Sequence, residues 1–332
     1  MNRTLIVAEL SANHNNSFDL AVKTIEAMAK AGADAVKFQT FRPLSFTMDV
    51  DNDDFGPRKT GLWKGQKPCD VFRIGAMPYE WQPKLKKIAE DLGVICFSTP
   101  FDNEAVDFME KMNMPIYKIA SFEITDVNLI RYAASKHKPM IISTGVAEME
   151  DIELALQVCH EEQNFDITLL KCTSDYPAAP EKANLLTMVD MRDRYRVKVG
   201  VSDHSMTNII PMTAVALGAT VVEKHFILDR SLGGIDSTFS LNPEEFATMV
   251  KTIRNTETVL GTVNYTVTNA DKERRRSLYV ALDMKTGDII TEQNIRSVRP
   301  GFGLHPKFLP EIIGKRVNRD LKKGERFSIE YI

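Results

Sequence analysis

Short apolar runs of buried-strand type recur through the first 226 residues, most of them separated by stretches with helical spacing. Eight can be followed: Thr4 to Ala8, Ala35 to Phe38, Val94 to Phe97, Ile116 to Ile119, Met140 to Ile142, Ile167 to Leu170, Lys198 to Val201, and Val221-Val222 with the residues after it. Between the first two, Ser17 is placed to cap a helix in which Phe18, Ala21, Ile25 and Met28 recur on one face, and Gly32 closes it. Ahead of the third, Trp81, Leu85, Ile88 and Leu92 repeat the pattern, with Gly93 as the left-handed stop. Eight such alternations predict a (β/α)8 barrel of the TIM type. Residues 42–78 carry Asp49 to Asp54, Gly61-Leu-Trp63 and several prolines without clear periodicity, and read as a functional loop or lid rather than a helix.

Each apolar run stops at polar residues. In chain order these are Glu9, Lys37 with Gln39, Ser98 with Thr99, Lys118 with Ser121, Ser143 with Gly145, Lys171 with Thr173, Ser202 with His204, and Glu223 with His225. In a parallel barrel the carboxyl ends of the strands form the catalytic rim, so these side chains belong to one neighbourhood. Three lysines and several small hydroxyls at one rim call for an anionic partner, a phosphate or a carboxylate. His204 and His225 close successive strands and read either as two ligands of a divalent metal with an oxygen-completed shell or as hydrogen-bonded structural residues. No third His or Cys completes a closed zinc site, so Mn²⁺ or Mg²⁺ is the expected ion. Glu9 closes the first strand, beside the eighth in a closed barrel. It is either an acid/base group near His225 or an ion-pair partner of Lys37 or Lys224.

The helical pattern fades near Leu260-Gly261, and a basic run, Arg274-Arg-Arg276, follows. Asp283-Met-Lys-Thr-Gly-Asp-Ile-Ile290 recurs as Asp320-Leu-Lys-Lys-Gly-Glu-Arg-Phe327, which suggests a small β-rich unit with an internal pseudo-repeat unless two Lys-Gly turns coincide by chance. The expected boundaries are a barrel over 1–265, a linker over 266–276 and a small domain over 277–332.

A length of 332 residues suits a barrel plus an appendage. With 43% hydrophobic and 26% charged residues the chain can bury a large core. A net charge of −3 argues against a nucleic-acid footprint, so an anionic substrate is held by local cations. Cys69, Cys96, Cys159 and Cys172 lack paired short spacing and read as reduced thiols of a cytoplasmic protein. No stretch reaches 18 uninterrupted apolar residues, and the amino terminus lacks a signal-peptide pattern, so neither secretion nor membrane spanning is expected.

Seven ordered motifs, Val7-Ala-Glu-Leu-Ser-Ala-Asn-His14, Lys37-Phe-Gln-Thr40, Ser98-Thr-Pro-Phe101, Lys118-Ile-Ala-Ser121, Ser143-Thr-Gly145, Gly200-Val-Ser-Asp-His204 and Val222-Glu-Lys-His-Phe226, together resemble the sialic acid synthase family. The tail resembles that family's antifreeze-like (SAF, β-clip) domain. The resemblance implies condensation of phosphoenolpyruvate with an open-chain amino sugar, giving a nine-carbon 2-keto acid and phosphate. It also implies residue roles. Lys37, Thr99, Lys118, Ser121, Ser143 and Ser202 are expected to hold phosphoenolpyruvate, with His204 and His225 on the metal and Glu9 as the acid/base group. Gln39, Glu123, Tyr176 and Asp236 are expected on the sugar side. Arg299, otherwise a surface residue before Pro300, would reach into the barrel of a partner in a domain-swapped homodimer. Gly61-Leu-Trp63 and Val298-Arg-Pro-Gly-Phe-Gly-Leu-His-Pro-Lys307 are similar to the branch that uses 2,4-diacetamido-2,4,6-trideoxy-L-altrose, with mannose-type N-acetyl sugars as the alternative. Ser174 departs from the asparagine usual in the sialic acid branch.

Overall fold

Eight parallel strands close into a barrel in chain order: β1 (Leu5–Glu9), β2 (Ala35–Thr40), β3 (Ile95–Pro100), β4 (Tyr117–Ile119), β5 (Met140–Ser143), β6 (Ile167–Cys172), β7 (Lys198–Asp203) and β8 (Val221–His225). The closing ladder pairs β1 with β8, Leu5 opposite Val221 and Glu9 opposite His225. The computed structural model describes residues 3–61 and 63–332, so Leu62 of the Gly61-Leu-Trp63 motif lies outside the described residues. Two compact units result, Met1–Gly261 and Thr262–Ile332.

The helices are α1 (Phe18–Lys30), α2 (Pro68–Gly75), α3 (Gln82–Asp91), α4 (Asn103–Lys111), α5 (Val127–Ala134), α6 (Met149–Glu161), α7 (Leu186–Tyr195), α8 (Ile209–Ala216) and α9 (Pro243–Leu260). Local chemistry sets their ends. Ser17 Oγ accepts from Leu20 N at 3.2 Å to start α1, and Gly32 follows its end at φ +91°. Asn242 and Glu245 form a reciprocal capping box at α9, each side chain 2.9 Å from the other's backbone N–H. The buried faces of the helices pack on the outward residues of the strands, among them Ile6, Val36, Phe38, Ile119, Ile142, Leu169 and Val222.

Alternation along each strand divides the residues sharply. The inward-facing positions low in the barrel are Val7, Ala35, Phe97, Ile141, Leu170 and Val221, a separate apolar cluster with Leu5 and Ile116 against it. Two residues further along, the same face carries Glu9, Lys37, Thr99, Lys118, Ser143, Cys172, Ser202 and Glu223, all of them buried. Several strands therefore extend beyond their apolar runs. The ladder continues from Leu170 to Cys172 and from Val201 to Asp203, because a polar side chain inside a closed barrel does not interrupt backbone pairing. The same parity corrects one expectation. Lys171 falls on the outer face, its ammonium bonded to Cys172 O at 2.7 Å, so it does not join the other two lysines.

The stretch 42–78 is more structured than expected, since α2 lies within it. Pro68 occupies the first helical turn, and an eight-residue helix shows too few turns for periodicity to stand out among flanking polar residues and prolines. Phe46 anchors the segment, its ring 4.4 Å from that of Phe72 and 4.8 Å from that of Phe101. In the second unit, helix α10 (Asn269–Glu273) occupies part of the stretch expected as linker, ahead of the antiparallel pair β9 (Ser277–Val280) and β10 (Ile295–Val298). The repeated turns clasp each other. Asp320 accepts from Lys285 Nζ at 2.6 Å and Thr286 N at 2.9 Å, while Asp283 accepts from Lys322 Nζ and Lys323 N, both at 2.8 Å. Both halves of the repeat use the same contact, which chance similarity would not produce.

Gly200 occupies an inward position where an added Cβ would stand 2.2 Å from Val221 O and 2.8 Å from Leu170 Cδ2. Gly200→Ala is expected to destabilise the barrel by about 1–3 kcal/mol or more through overpacking. Chemical denaturation with a folded-state spectroscopic check measures it, and unchanged stability would show that the wall yields freely.

Candidate active site

Two ammonium groups are buried at the barrel mouth, and a shared carboxylate holds them. Lys37 Nζ lies 3.0 Å from both Glu9 Oε2 and Glu223 Oε2. Lys118 Nζ donates to Ser143 Oγ at 2.7 Å and to Ile119 O at 3.0 Å, with Glu223 Oε1 at 3.8 Å. Ser202 Oγ donates to Glu223 Oε1 at 2.9 Å. Four expected anion-site residues, Lys37, Lys118, Ser143 and Ser202, are thus linked through Glu223. Ser121 Oγ accepts from Gly145 N at 3.1 Å, and Thr99 Oγ1 is buried without a partner. Gly145 is required beside them, since a Cβ there would meet Ser174 Oγ at 2.2 Å and Ser121 Oγ at 2.8 Å.

Burial and charge oppose each other at every ionisable group here. Burial lowers the pKa of Lys118 more than Glu223 restores it, and Lys37 adds to the lowering. Lys37 itself is raised: burial works against it, but Glu223 and Glu9 prevail. Burial would raise Glu9, but positive charge from His225 when protonated and from Lys37, with the Gln39 amide, holds it far below the ordinary carboxylate range. Burial pushes His225 down, with Glu9 and Asp236 partly opposing this.

The imidazoles of His204 and His225 face each other with ring centroids 5.2 Å apart. His204 Nδ1 is 2.9 Å from Thr173 O, which fixes the proton on Nδ1 and leaves Nε2 free. His225 Nε2 lies 3.3 Å from Glu9 Oε2, and its buried Nδ1 has no hydrogen-bond partner. Among the described residues no cluster of three or more His, Cys, Asp or Glu encloses a metal position. Two neighbouring imidazoles, one with an unpartnered ring nitrogen, and an adjoining carboxylate fit an open, oxygen-completed cation site.

Glu9 pairs with Lys37 and also adjoins His225. Lys224 is not its partner. It faces the outer side, where its buried ammonium bonds Asp203 and Ser205 O and so ties the backbones that carry His204 and His225.

Beside the imidazoles, Tyr176 lies 4.4 Å from His204 and 4.9 Å from Phe239, centroid to centroid. Trp63, from the 42–78 segment, is 6.4 Å from Tyr176. Gln39 Nε2 donates to Glu9 Oε1 at 2.9 Å, and Asp236 accepts from Ser11. Glu123 Oε2 is buried without a partner, and burial pushes its carboxyl up to about 7. Arg299 is exposed and belongs to the second unit. His14 is buried, near Gly75 O at 3.3 Å and edge-on to Trp81, a support beneath the rim. Sequence reading named Glu223 as a strand end but assigned it no role, and it passed over Ser11. The signal for Glu223 was its parity with His225.

A closed parallel barrel whose mouth joins paired ammonium groups to facing imidazoles belongs to the barrel enzymes that bind a small anion and act on a second substrate beside it. The chain belongs to the NeuB family, whose model matches residues 24–265, and a SAF domain model matches residues 275–328. It is 44% identical over 326 residues to the pseudaminic acid synthase of Campylobacter jejuni, covering 97% of this chain and 95% of that one. With the N,N'-diacetyllegionaminic acid synthase of Legionella pneumophila the identity is 33% over 336 residues, covering 98% and 94%. The crystal structure of N-acetylneuraminic acid (sialic acid) synthetase from Leptospira borgpetersenii in complex with citrate superposes with a TM-score of 0.73 at 29% identity, covering 82% of this chain and 90% of that one.

The raised pKa of Glu123 has a pH signature. Below about pH 4.5 the carboxyl is protonated in both folded and unfolded chains. Between there and about 7 only the unfolded chain loses the proton, so stability falls as pH rises. Glu123→Gln is expected to gain up to about 3 kcal/mol on the native protein between pH 4.5 and 8 and nothing below that window. Denaturant titrations at both pH values check this; a constant difference would show an ordinary carboxylate.

Proposed function

We propose that this protein condenses phosphoenolpyruvate with 2,4-diacetamido-2,4,6-trideoxy-L-altrose and water, giving a nine-carbon nonulosonic acid and phosphate. The observation that carries the reading is the pair of buried lysines, linked through Glu223 and set directly beside the imidazole pair. Higher identity to the pseudaminic acid synthase than to the legionaminic acid synthase favours the altrose-type sugar.

Lys37 and Lys118 neutralise phosphoenolpyruvate, while Ser121, Ser143, Ser202 and the unpartnered hydroxyl of Thr99 supply directional bonds. His204 and His225 would hold a divalent cation, Mn²⁺ or Mg²⁺, whose contribution is Lewis-acid polarisation of the sugar aldehyde. The electron pair of the enol double bond forms the new bond to the aldehyde carbon, whose oxygen takes a proton and becomes a hydroxyl. Water then adds to the cationic C2 of the phosphoenolpyruvate moiety and loses a proton. Glu9, kept ionised beside Lys37, is the group placed to accept it. Loss of the C2 hydroxyl proton and cleavage of the bond from C2 to the phosphate oxygen leave the ketone and inorganic phosphate. Gln39, Glu123, Tyr176 and Asp236 face the sugar.

A domain-swapped homodimer completes this reading, with Arg299 of the partner subunit at the sugar. Charge supports it: residues 1–261 hold 28 Lys and Arg against 36 Asp and Glu, a net of −8, whereas residues 262–332 hold 14 against 9, a net of +5. Four buried free cysteines suit a reducing, cytoplasmic setting, and no described helix is long and apolar enough to cross a membrane.

Phosphate release with purified sugars tests the substrate: turnover is expected with the altrose-type sugar, and turnover with N-acetylmannosamine alone would overturn the choice. His225→Ala is expected to abolish turnover and weaken Mn²⁺ binding measured by electron paramagnetic resonance while the fold persists. Unchanged binding would remove His225 from the ligand set. Mixing Arg299→Ala with Glu9→Ala protein is expected to restore part of the activity through heterodimers with one intact site, and no recovery despite proven subunit exchange would argue against domain sharing.

A further inference from the structure

Ser11 follows β1 by two residues and holds a left-handed backbone, φ +47°, which a serine seldom adopts. Most other described non-glycine residues in that region are Asn or His, whose side chains tolerate it. The side chain of Ser11 shows what the strain secures. Its hydroxyl donates to Asp236 Oδ2 and accepts from Gln39 Nε2 at 3.1 Å, and the same amide donates to Glu9 Oε1 at 2.9 Å. Glu9 Oε2 lies 3.3 Å from His225 Nε2, and His225 Nδ1 lies 3.9 Å from Asp236 Oδ2. The side chains of His225, Glu9, Gln39, Ser11 and Asp236 therefore form one run at the mouth whose ends, His225 and Asp236, stand 3.9 Å apart, and Ser11 is the member that joins Gln39 to Asp236.

We propose that Ser11 is a positioning residue that sets sugar recognition, resting on the reading of Gln39 and Asp236 as sugar-side groups. A serine hydroxyl has one proton to donate, and Asp236 takes it. The remaining acceptor capacity turns the Gln39 amide so that its N–H₂ faces Ser11 and Glu9. Gln39 Oε1 and Asp236 Oδ1 are thereby left as acceptors, and the complementary ligand groups are two donors, hydroxyl or acetamido N–H, on the open-chain sugar. A sugar lacking a donor at either place leaves a desolvated acceptor unpaired, which is how a site rejects an analogue strongly. Glycine adopts φ above zero without strain, so Ser11→Gly removes the hydroxyl while relaxing the backbone, and Ser11→Ala removes it while keeping the strain.

The test uses the full-length protein with Mn²⁺, varying each substrate at saturation with the other and following thermal unfolding alongside. Ser11→Gly is expected to unfold at a higher temperature than Ser11→Ala. Both are expected to raise the sugar KM about tenfold or more and leave the phosphoenolpyruvate KM within about twofold. A backbone role alone predicts a sugar KM in Ser11→Gly equal to the unaltered protein's, and that result overturns the proposal. So does an equal rise for both substrates. If the unaltered protein turns over no amino sugar, the assignment of the site falls, and the proposal with it.

Discussion

An ammonium group inside a protein must keep a carboxylate within reach or lose its proton, and the barrel mouth holds two such groups around Glu223. Lys37 is paired from both sides and stays firmly protonated, whereas Lys118 has Glu223 at 3.8 Å and is pushed down by burial. This unequal sharing fixes the geometry of the mouth and leaves Lys118 as the ammonium group less tightly engaged by a carboxylate. The carboxylates also keep the lysines from repelling one another across the narrow interior. Every other feature of the site follows the position of this layer, because the groups above it project from the same eight strands.

Closure of the barrel makes the arrangement rigid. Glu9 and His225 sit opposite each other only because β1 returns to pair with β8. The outward ion pair of Lys224 with Asp203 adds a second tie between β7 and β8, next to each histidine in sequence but on the other face of the wall. Strand periodicity of two thus assigns adjacent residues to different tasks: Asp203 and Lys224 hold the wall, and His204 and His225 face the barrel mouth. Ser11 applies the same economy on the other side of Glu9, where one strained serine is bonded to both Gln39 and Asp236.

The order of strands, the barrel, the small second unit with its repeated turns and the gathering of Lys37, Lys118, Ser143, Ser202, His204 and His225 at one rim were all legible in the residues. Buried strands in a parallel sheet are continuous apolar runs, and their ends mark the rim whatever the details of packing. The short helix Pro68–Gly75 was not legible, since eight residues carry too little periodicity to compete with flanking prolines and polar groups. Lys171 was misplaced for another reason. A strand end names a neighbourhood, but only the alternation fixed by its apolar neighbours decides which wall a side chain faces.

By itself the sequence determined the class of fold and the inventory of chemistry, because both depend on local periodicity and on residue types at strand ends. Tertiary structure decided the partnerships. It placed Glu223 between two lysines, assigned Lys224 to Asp203 instead of Glu9, and joined Ser11 to groups 28 and 225 residues away. Those choices depend on register, barrel stagger and inward or outward parity, which come into being only when β1 meets β8.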